Sequence, residues 1–322
     1  MARLSLTDER ARDAAKASRA KPADGGRARR RRRRRTWVTI TLFLLPALIL
    51  FLLLVLTPIL IAGYASFFRW NGLGGPPDEY IGLDNFTRLF ADETFRADLR
   101  HGLILIVLSL VTQLPLALGI ALLLNRRFRG RALYRVVFFA PFVLSEVIAG
   151  VLFTMIFSPE QGVGPAKGML ANTSTVLYAL FIVLTWKYFG FHMILYLAGR
   201  QNIPQELLDA AATDGAGPWR QFRHVTLPLL GPTIRISIFL SVIGVIQLFD
   251  MVWVLTTGGP VHASETMAVT MFNFGFRRFQ VGYASALSIT MFLISLVFAL
   301  FYQRYVMRRD VEGALTVMGD QR

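Results

Sequence analysis

Six polar side chains fall within or at the edge of apolar stretches of this chain: Glu146, Lys187, Tyr188, His192, Gln247 and Asp250. An ionisable group in hydrocarbon is costly unless it is paired or reaches water, so each is a functional-site candidate by default. Two chemistries suit such a set. Carboxylates and an ammonium at similar depth can relay protons or hold a cation, which is what an ion-coupled transporter needs. The same groups beside aromatic rings can instead line a path for a polar solute: a sugar has hydroxyls that need hydrogen-bond partners and ring faces that stack on aromatics. Glu146 follows Arg135 by about 16 Å of helix and Lys187 precedes Arg200 by about 20 Å, at 1.5 Å per residue. Their depths are therefore comparable, and they are expected to pair or to share a polar cavity in which each offsets the other's desolvation. The competing expectation is that each reaches its own carbonyl or water, and that Gln247 and the aromatics only bond to or pack against neighbouring helices.

Other chemistries have no residues to carry them. The chain contains no cysteine, so disulfides, thiolate metal sites and thiol catalysis cannot be proposed. None of the lysines, at 16, 21, 167 and 187, follows a phosphate-binding glycine loop, and no His-Glu-x-x-His occurs. A chain built this way does not hydrolyse ATP by that route and holds no cofactor of its own. Uphill transport would draw on a separate chain or on an ion gradient.

The elements that must position these residues are membrane spans. With 322 residues, 54% of them hydrophobic, and a mean hydropathy of +0.49, the composition is that of an all-α polytopic membrane protein. Six apolar runs reach the ~20 residues needed to cross hydrocarbon, at about 37–62, 102–124, 133–157, 176–198, 233–256 and 283–306. Prolines 46, 58, 115 and 141 fall inside them and mark expected kinks.

A net charge of +15 suggests a nucleic-acid partner until its location is noted: fourteen of the 35 basic residues precede Thr36. Residues 1–36, ending in the arginine run 29–35, contain little to bury and are expected to be disordered, holding the N-terminus in the cytoplasm and touching anionic lipid. An even number of spans returns the C-terminus, with its tail 310–322, to the same side. The arginines at 126, 127, 129, 131 and 135, at 200, 220, 223 and 235, and at 304, 308, 309 and 322 fall on that side too.

Between the fourth and fifth spans lies a long polar, helix-competent segment, 203–232. Pro204 opens a helix, Glu206 and Asp209 suit its positive end, Asp214 and Gly215 stop it, and Gly217-Pro218 restarts the chain before Pro228 and Pro232 halt it. This stretch resembles the signature loop of the permease subunits of binding-protein-dependent ABC importers: Glu-Ala-Ala, three residues, Gly, nine residues, Ile-x-Leu-Pro. The matching residues are Asp209, Ala210 and Ala211, then Gly215, then Val225, Thr226, Leu227 and Pro228, with Asp in place of Glu and Val in place of Ile. In that family the loop is a cytoplasmic coupling helix docked on the ATP-hydrolysing subunit. By resemblance, Glu206, Asp209, Ala210, Ala211, Asp214, Gly215, Leu227 and Pro228 would carry the coupling.

Outside the spans, 63–100 carries six acidic residues and the phrase Tyr80-Ile81-Gly82-Leu83-Asp84-Asn85-Phe86, similar to a stretch before the second span of sugar-type permeases. It is expected to be either a landing surface for a partner or a solvated loop with a short amphipathic helix at 84–99. After the fifth span, Thr257-Gly258-Gly259-Pro260 and then Glu265-Thr266 resemble a turn of the first-type permease subunit in carbohydrate importers. The resemblance covers about 37–309. It implies the type I importer permease fold in the bacterial inner membrane. It also implies a second permease, an ATPase dimer carrying ATP and Mg, an extracytoplasmic solute-binding protein and a sugar. An ion-coupled secondary transporter working through Glu146, Lys187 and Asp250 is the alternative.

Overall fold

Apolar runs of this length can satisfy their peptide groups without water by forming helices, and helices dominate the fold. The computed structural model describes residues 25–126, 128–162 and 164–307, with the backbone alone over 25–36. The expectations for residues 1–24 and for the tail 310–322 lie outside the described residues. Helix α1 (Gly25–Phe51) passes through a π-helical turn, Leu52–Leu56, into α2 (Thr57–Ala65). This corrects the expected disorder of residues 25–36. Arginine is a good helix former, and no breaker interrupts the chain between Gly26 and Pro46, so the apolar helix extends backwards through the basic run.

Residues 62–307 begin with a small hairpin, β1 (Phe68–Arg69) against β2 (Glu79–Tyr80), antiparallel with Phe68 opposite Tyr80. Asn85, at the start of α3 (Asp84–Ala91), is buried and holds this corner by donating to the Ser66 and Phe68 carbonyls at 2.9 and 3.0 Å. Asp92 then caps α4 (Glu93–Leu108), its carboxylate accepting from the Thr94 amide at 2.8 Å. Through the π-helical turn Ser109–Gln113, α4 continues into α5 (Leu114–Asn125), a 33-residue run. The second span thus starts nearer 93 than the expected 102. Its charged first turns are accommodated because Asp98 points inward and accepts a hydrogen bond from Thr270 at 2.6 Å.

The expected third span, 133–157, is not one helix. It is α6 (Arg131–Val143) and α7 (Glu146–Ile156), bent by 96°. Leu144 is extended, and Ser145 restarts the chain as an N-cap for the Val147 amide. Helix α8 (Val176–Gln201) is the most deeply buried of the candidate spans. After it come α9 (Gln205–Thr213), α10 (Pro218–Gln221), a π-helical turn, α11 (Leu227–Leu229) and α12 (Gly231–Ile246). The segments Pro218–Leu229 and Gly231–Ile246 meet at 64°. The fifth span, expected to reach 256, stops at Ile246. The chain leaves helical geometry at Phe249, and α13 (Asp250–Leu255) starts with Asp250 at its positive end. Helix α14 (Met267–Phe272) and α15 (Val281–Tyr302) are the last helices among the described residues, α15 running on into a π-helical turn, Gln303–Met307. Among the described residues, four helices are long and apolar enough to cross a membrane, or up to six if each bent pair counts as one span. The fold is all-α apart from the two short strands.

Helix α8 supplies two of the three apolar cores. Leu180, Val183 and Leu184 pack with Ala149, Phe153, Met251 and Val252, and Phe189, Met193 and Tyr196 pack with Ala117 and Ala121. Its contact with α6 is close: a Cβ at Gly190 would sit 2.0 Å from the Phe138 carbonyl oxygen, a backbone atom that cannot step aside. Gly190→Val is therefore expected to cost about 1–3 kcal/mol or more by overpacking, seen as a lower melting temperature of the purified chain in detergent. Gly119→Ala, where an added Cβ meets nothing within 4 Å, should leave it unchanged.

Candidate functional site: a charged helix break and a polar cavity

The break between α6 and α7 strands the last carbonyls of one helix and the first amides of the next. Lys187, midway along α8 and 2% exposed, answers the first set: its Nζ donates to the Leu144 carbonyl at 2.6 Å. Glu146 sits in the first turn of α7, where the helix dipole favours a carboxylate, and its Oε1 lies 3.6 Å from Lys187 Nζ. The two charges expected at similar depth are thus an ion pair, and they straddle a bend rather than bridge two straight helices. Tyr188 donates its hydroxyl to the same Glu146 oxygen, while the other oxygen, Oε2, is buried with no partner among the described residues. Asp250 lies within electrostatic reach of that tyrosine.

Beside the break is a cavity of about 260 Å³ between α8, α12 and the π-helical turn of α4 and α5. Tyr188 and His192 line it, as expected. His192 is held through Nδ1 by Ser237 of α12 at 2.8 Å. Phe142 and Phe191 supply stacked rings with centroids 4.9 Å apart. The polar lining also includes Ser109, Gln113 and Ser241, none of them singled out from the sequence; Ser109 donates to Gln113 at 2.9 Å. Hydropathy scanning passes over an isolated Ser or Gln, and the only available signal was their shared position in apolar helices. Gln247 is not in this wall: it closes α12 as its C-cap and is exposed, and Asp250 is exposed at the head of α13.

At the far end of α8 the 203–228 loop forms the two short helices read from its sequence. Helix α9 ends at Asp214, Gly215 turns the chain with φ +78°, and Ala216 donates back to the Ala211 carbonyl at 2.9 Å. Only Leu208 of α9 is buried; Glu206, Asp209, Ala210 and Asp214 are exposed, as are the apolar Leu207 and Trp219. Ala211 and Leu227 are partly covered, and Pro228 is exposed. A groove of about 990 Å³ separates this loop from α5.

Removing Lys187 would leave the Glu146 carboxylate without its counter-charge, held by the Tyr188 hydroxyl alone, and the Leu144 carbonyl without its donor. Lys187→Met is expected to destabilise the chain by about 3 kcal/mol or more. Lys187→Met with Glu146→Gln should recover part of that loss in thermal unfolding, and an unchanged melting temperature in the single variant would remove the pair from any structural role.

Residues 113–311 match the family model for the inner membrane component of binding-protein-dependent transport systems. The probable starch degradation products transport system permease protein AmyD of Thermoanaerobacterium thermosulfurigenes is 30% identical over 274 residues, spanning 83% of this chain and 93% of that protein. The sulfoquinovosyl glycerol transport system permease protein SmoG of Agrobacterium fabrum is 32% identical over 274 residues, 82% of this chain and 89% of that protein. A chain in the crystal structure of a bacterial ABC transporter that imports the acidic polysaccharide alginate superposes with a TM-score of 0.75 at 25% identity, covering 85% of this chain and 96% of that one. These likenesses lend nothing to an ion-coupled secondary transporter. They place the chain in the inner membrane, dependent on a solute-binding protein. With the family pattern running from the helix that walls the cavity through the exposed loop to the last span, the chain belongs to the binding-protein-dependent inner membrane components, the permease subunits of ABC importers.

Proposed function

We propose that this permease passes a sugar or a related polar solute, and that 203–228 couples its movement to a separate ATPase. The observation that carries the solute class is the cavity: hydroxyl, amide and imidazole groups beside stacked aromatic rings, next to a helix break. Such a wall offers both partners that a sugar needs, hydrogen bonds and apolar ring contact. The names of the relatives, among them starch degradation products, sulfoquinovosyl glycerol and, in a further Agrobacterium fabrum protein, sn-glycerol-3-phosphate, add support to polar carbohydrate-like cargo.

In this reading a second permease completes the path and an extracytoplasmic binding protein delivers the solute. An ATPase dimer holding ATP and Mg supplies the energy, because this sequence has no phosphate-binding loop. Both termini are cytoplasmic, as the distribution of arginines favours. The exposed face of α9, with Glu206, Asp209, Ala210 and Asp214 around Leu207, is the docking surface, and Trp219 extends it. Displacement of this knuckle reaches the cavity directly. Helix α8 joins it through only 202–204 and carries Lys187, Tyr188 and His192, while α12 follows it and is tied to α8 through His192 and Ser237. Closing the ATPase dimer therefore tilts two walls of the path together.

Gly215 gives the test. Its left-handed backbone costs an L-residue about 1–2 kcal/mol, and an added Cβ meets nothing within 4 Å, so the penalty falls on the turn and not on packing. Tagged chain purified from its native membrane should bring an ATPase and a binding protein with it. Gly215→Val should lower solute-driven ATP hydrolysis and transport about tenfold or more while inserting normally; Gly215→Asn, which tolerates this conformation, should retain most of both. A chain that elutes alone and transports under an ion gradient would overturn the assignment.

A further inference from the structure

At the start of the loop a pocket of about 490 Å³ opens where the ends of four helices meet: α5 and α8 end on it, and α6 and α9 begin on it. Arg131, Arg135 and Arg200 line it, and none of its lining residues is acidic. Arg135 uses one nitrogen on the Leu124 carbonyl at 3.0 Å, and its Nε is buried without a partner among the described residues. Arg131 and Arg200 bond to no described protein group.

Neutralising helix ends accounts for part of this cluster. Arg135 covers a C-terminal carbonyl of α5, and Arg200 lies in the last turn of α8, where a cation is favoured. Arg131 does the opposite. It is the first residue of α6, a helix with no acidic residue in its first turn and no capping side chain, so its charge adds to the positive end of the dipole. Helix α9 also begins on the pocket, from Pro204, without a capping side chain. Three guanidinium groups and the uncapped, acid-free start of α6 face one space, beside the start of α9 whose first turn holds Glu206, and the excess of positive charge suits an oxyanion.

We infer that this pocket binds a phosphate group at the membrane surface. Its position at the ends of three spans, where the headgroups of a bilayer lie, suits the phosphodiester of an anionic lipid. Free inorganic phosphate offers the same oxyanion without acyl chains, and the experiment separates the two.

The full chain, purified in neutral detergent, is mixed with phosphatidylglycerol, phosphatidylcholine or inorganic phosphate, and retained ligand is counted by native mass spectrometry beside melting temperature. Wild type should retain phosphatidylglycerol over phosphatidylcholine, and Arg131→Gln with Arg200→Gln should lower that retention about tenfold or more, the loss expected for two charge-assisted hydrogen bonds. Arg96→Gln with Arg100→Gln removes the same charge from exposed arginines of α4 and should change nothing, which controls for attraction to the basic N-terminal run. Should the double pocket variant fail to fold, the exposed Arg131→Gln alone carries the comparison. Displacement of the lipid by millimolar inorganic phosphate, or stabilisation of wild type but not the variant by phosphate alone, identifies free phosphate as the ligand. If the pocket variants retain phosphatidylglycerol as wild type does and phosphate has no effect, the inference fails. It fails equally if they lose a co-purifying ATPase while lipid retention is unchanged, which would make the arginines a protein contact.

Discussion

A single ammonium group makes this architecture possible. A span that turns through 96° in mid-course leaves peptide groups unbonded where water is scarce, at a cost of several kcal/mol each. Lys187 reaches across from α8 to the carbonyl at the bend, and its charge sits at the negative end of α6 while Glu146 occupies the positive end of α7. Hydrogen bond, ion pair and two helix dipoles therefore act in the same direction at one point. The pair need not stabilise the fold relative to an apolar substitute; what it does is make a broken helix tolerable, and the break in turn sets polar groups beside the cavity.

Helix α8 is the frame on which this depends. It is unbroken, packs closely enough on α6 for Gly190 to touch backbone, and carries the lysine, the tyrosine and the histidine on one continuous rod. The elements around it are interrupted by a π-helical turn between α4 and α5, by the bend after Leu144, and by the gap at 247–249 that ends α12. Rigid centre and jointed surroundings are a sensible division in a protein that must change the exposure of a path without unfolding.

What could be read in advance was whatever depends on local pattern. The spans emerged from hydropathy, the 203–228 loop from its spaced glycine and prolines, and the proximity of Glu146 and Lys187 from counting residues to the flanking arginines. What could not be read depends on partners remote in sequence. Asp98 looked like a loop carboxylate because its partner, Thr270, lies 172 residues away, and so the second span seemed shorter than it is. The bend after Leu144 hid inside a long apolar run; the local hints were Pro141, three residues before it, and Ser145 before an acidic residue, a helix start in the middle of a span. Gln247 shared the apolar context of the true cavity residues, and only the early end of α12 put it elsewhere.

The second oxygen of Glu146 is buried without a partner among the described residues. A carboxylate oxygen in that state attracts a donor, so the ground beside the helix break is hydrophilic before any solute arrives. A movement of the bend that uncovered this oxygen would bring a strong hydrogen-bond acceptor, and a donor with it, to the break.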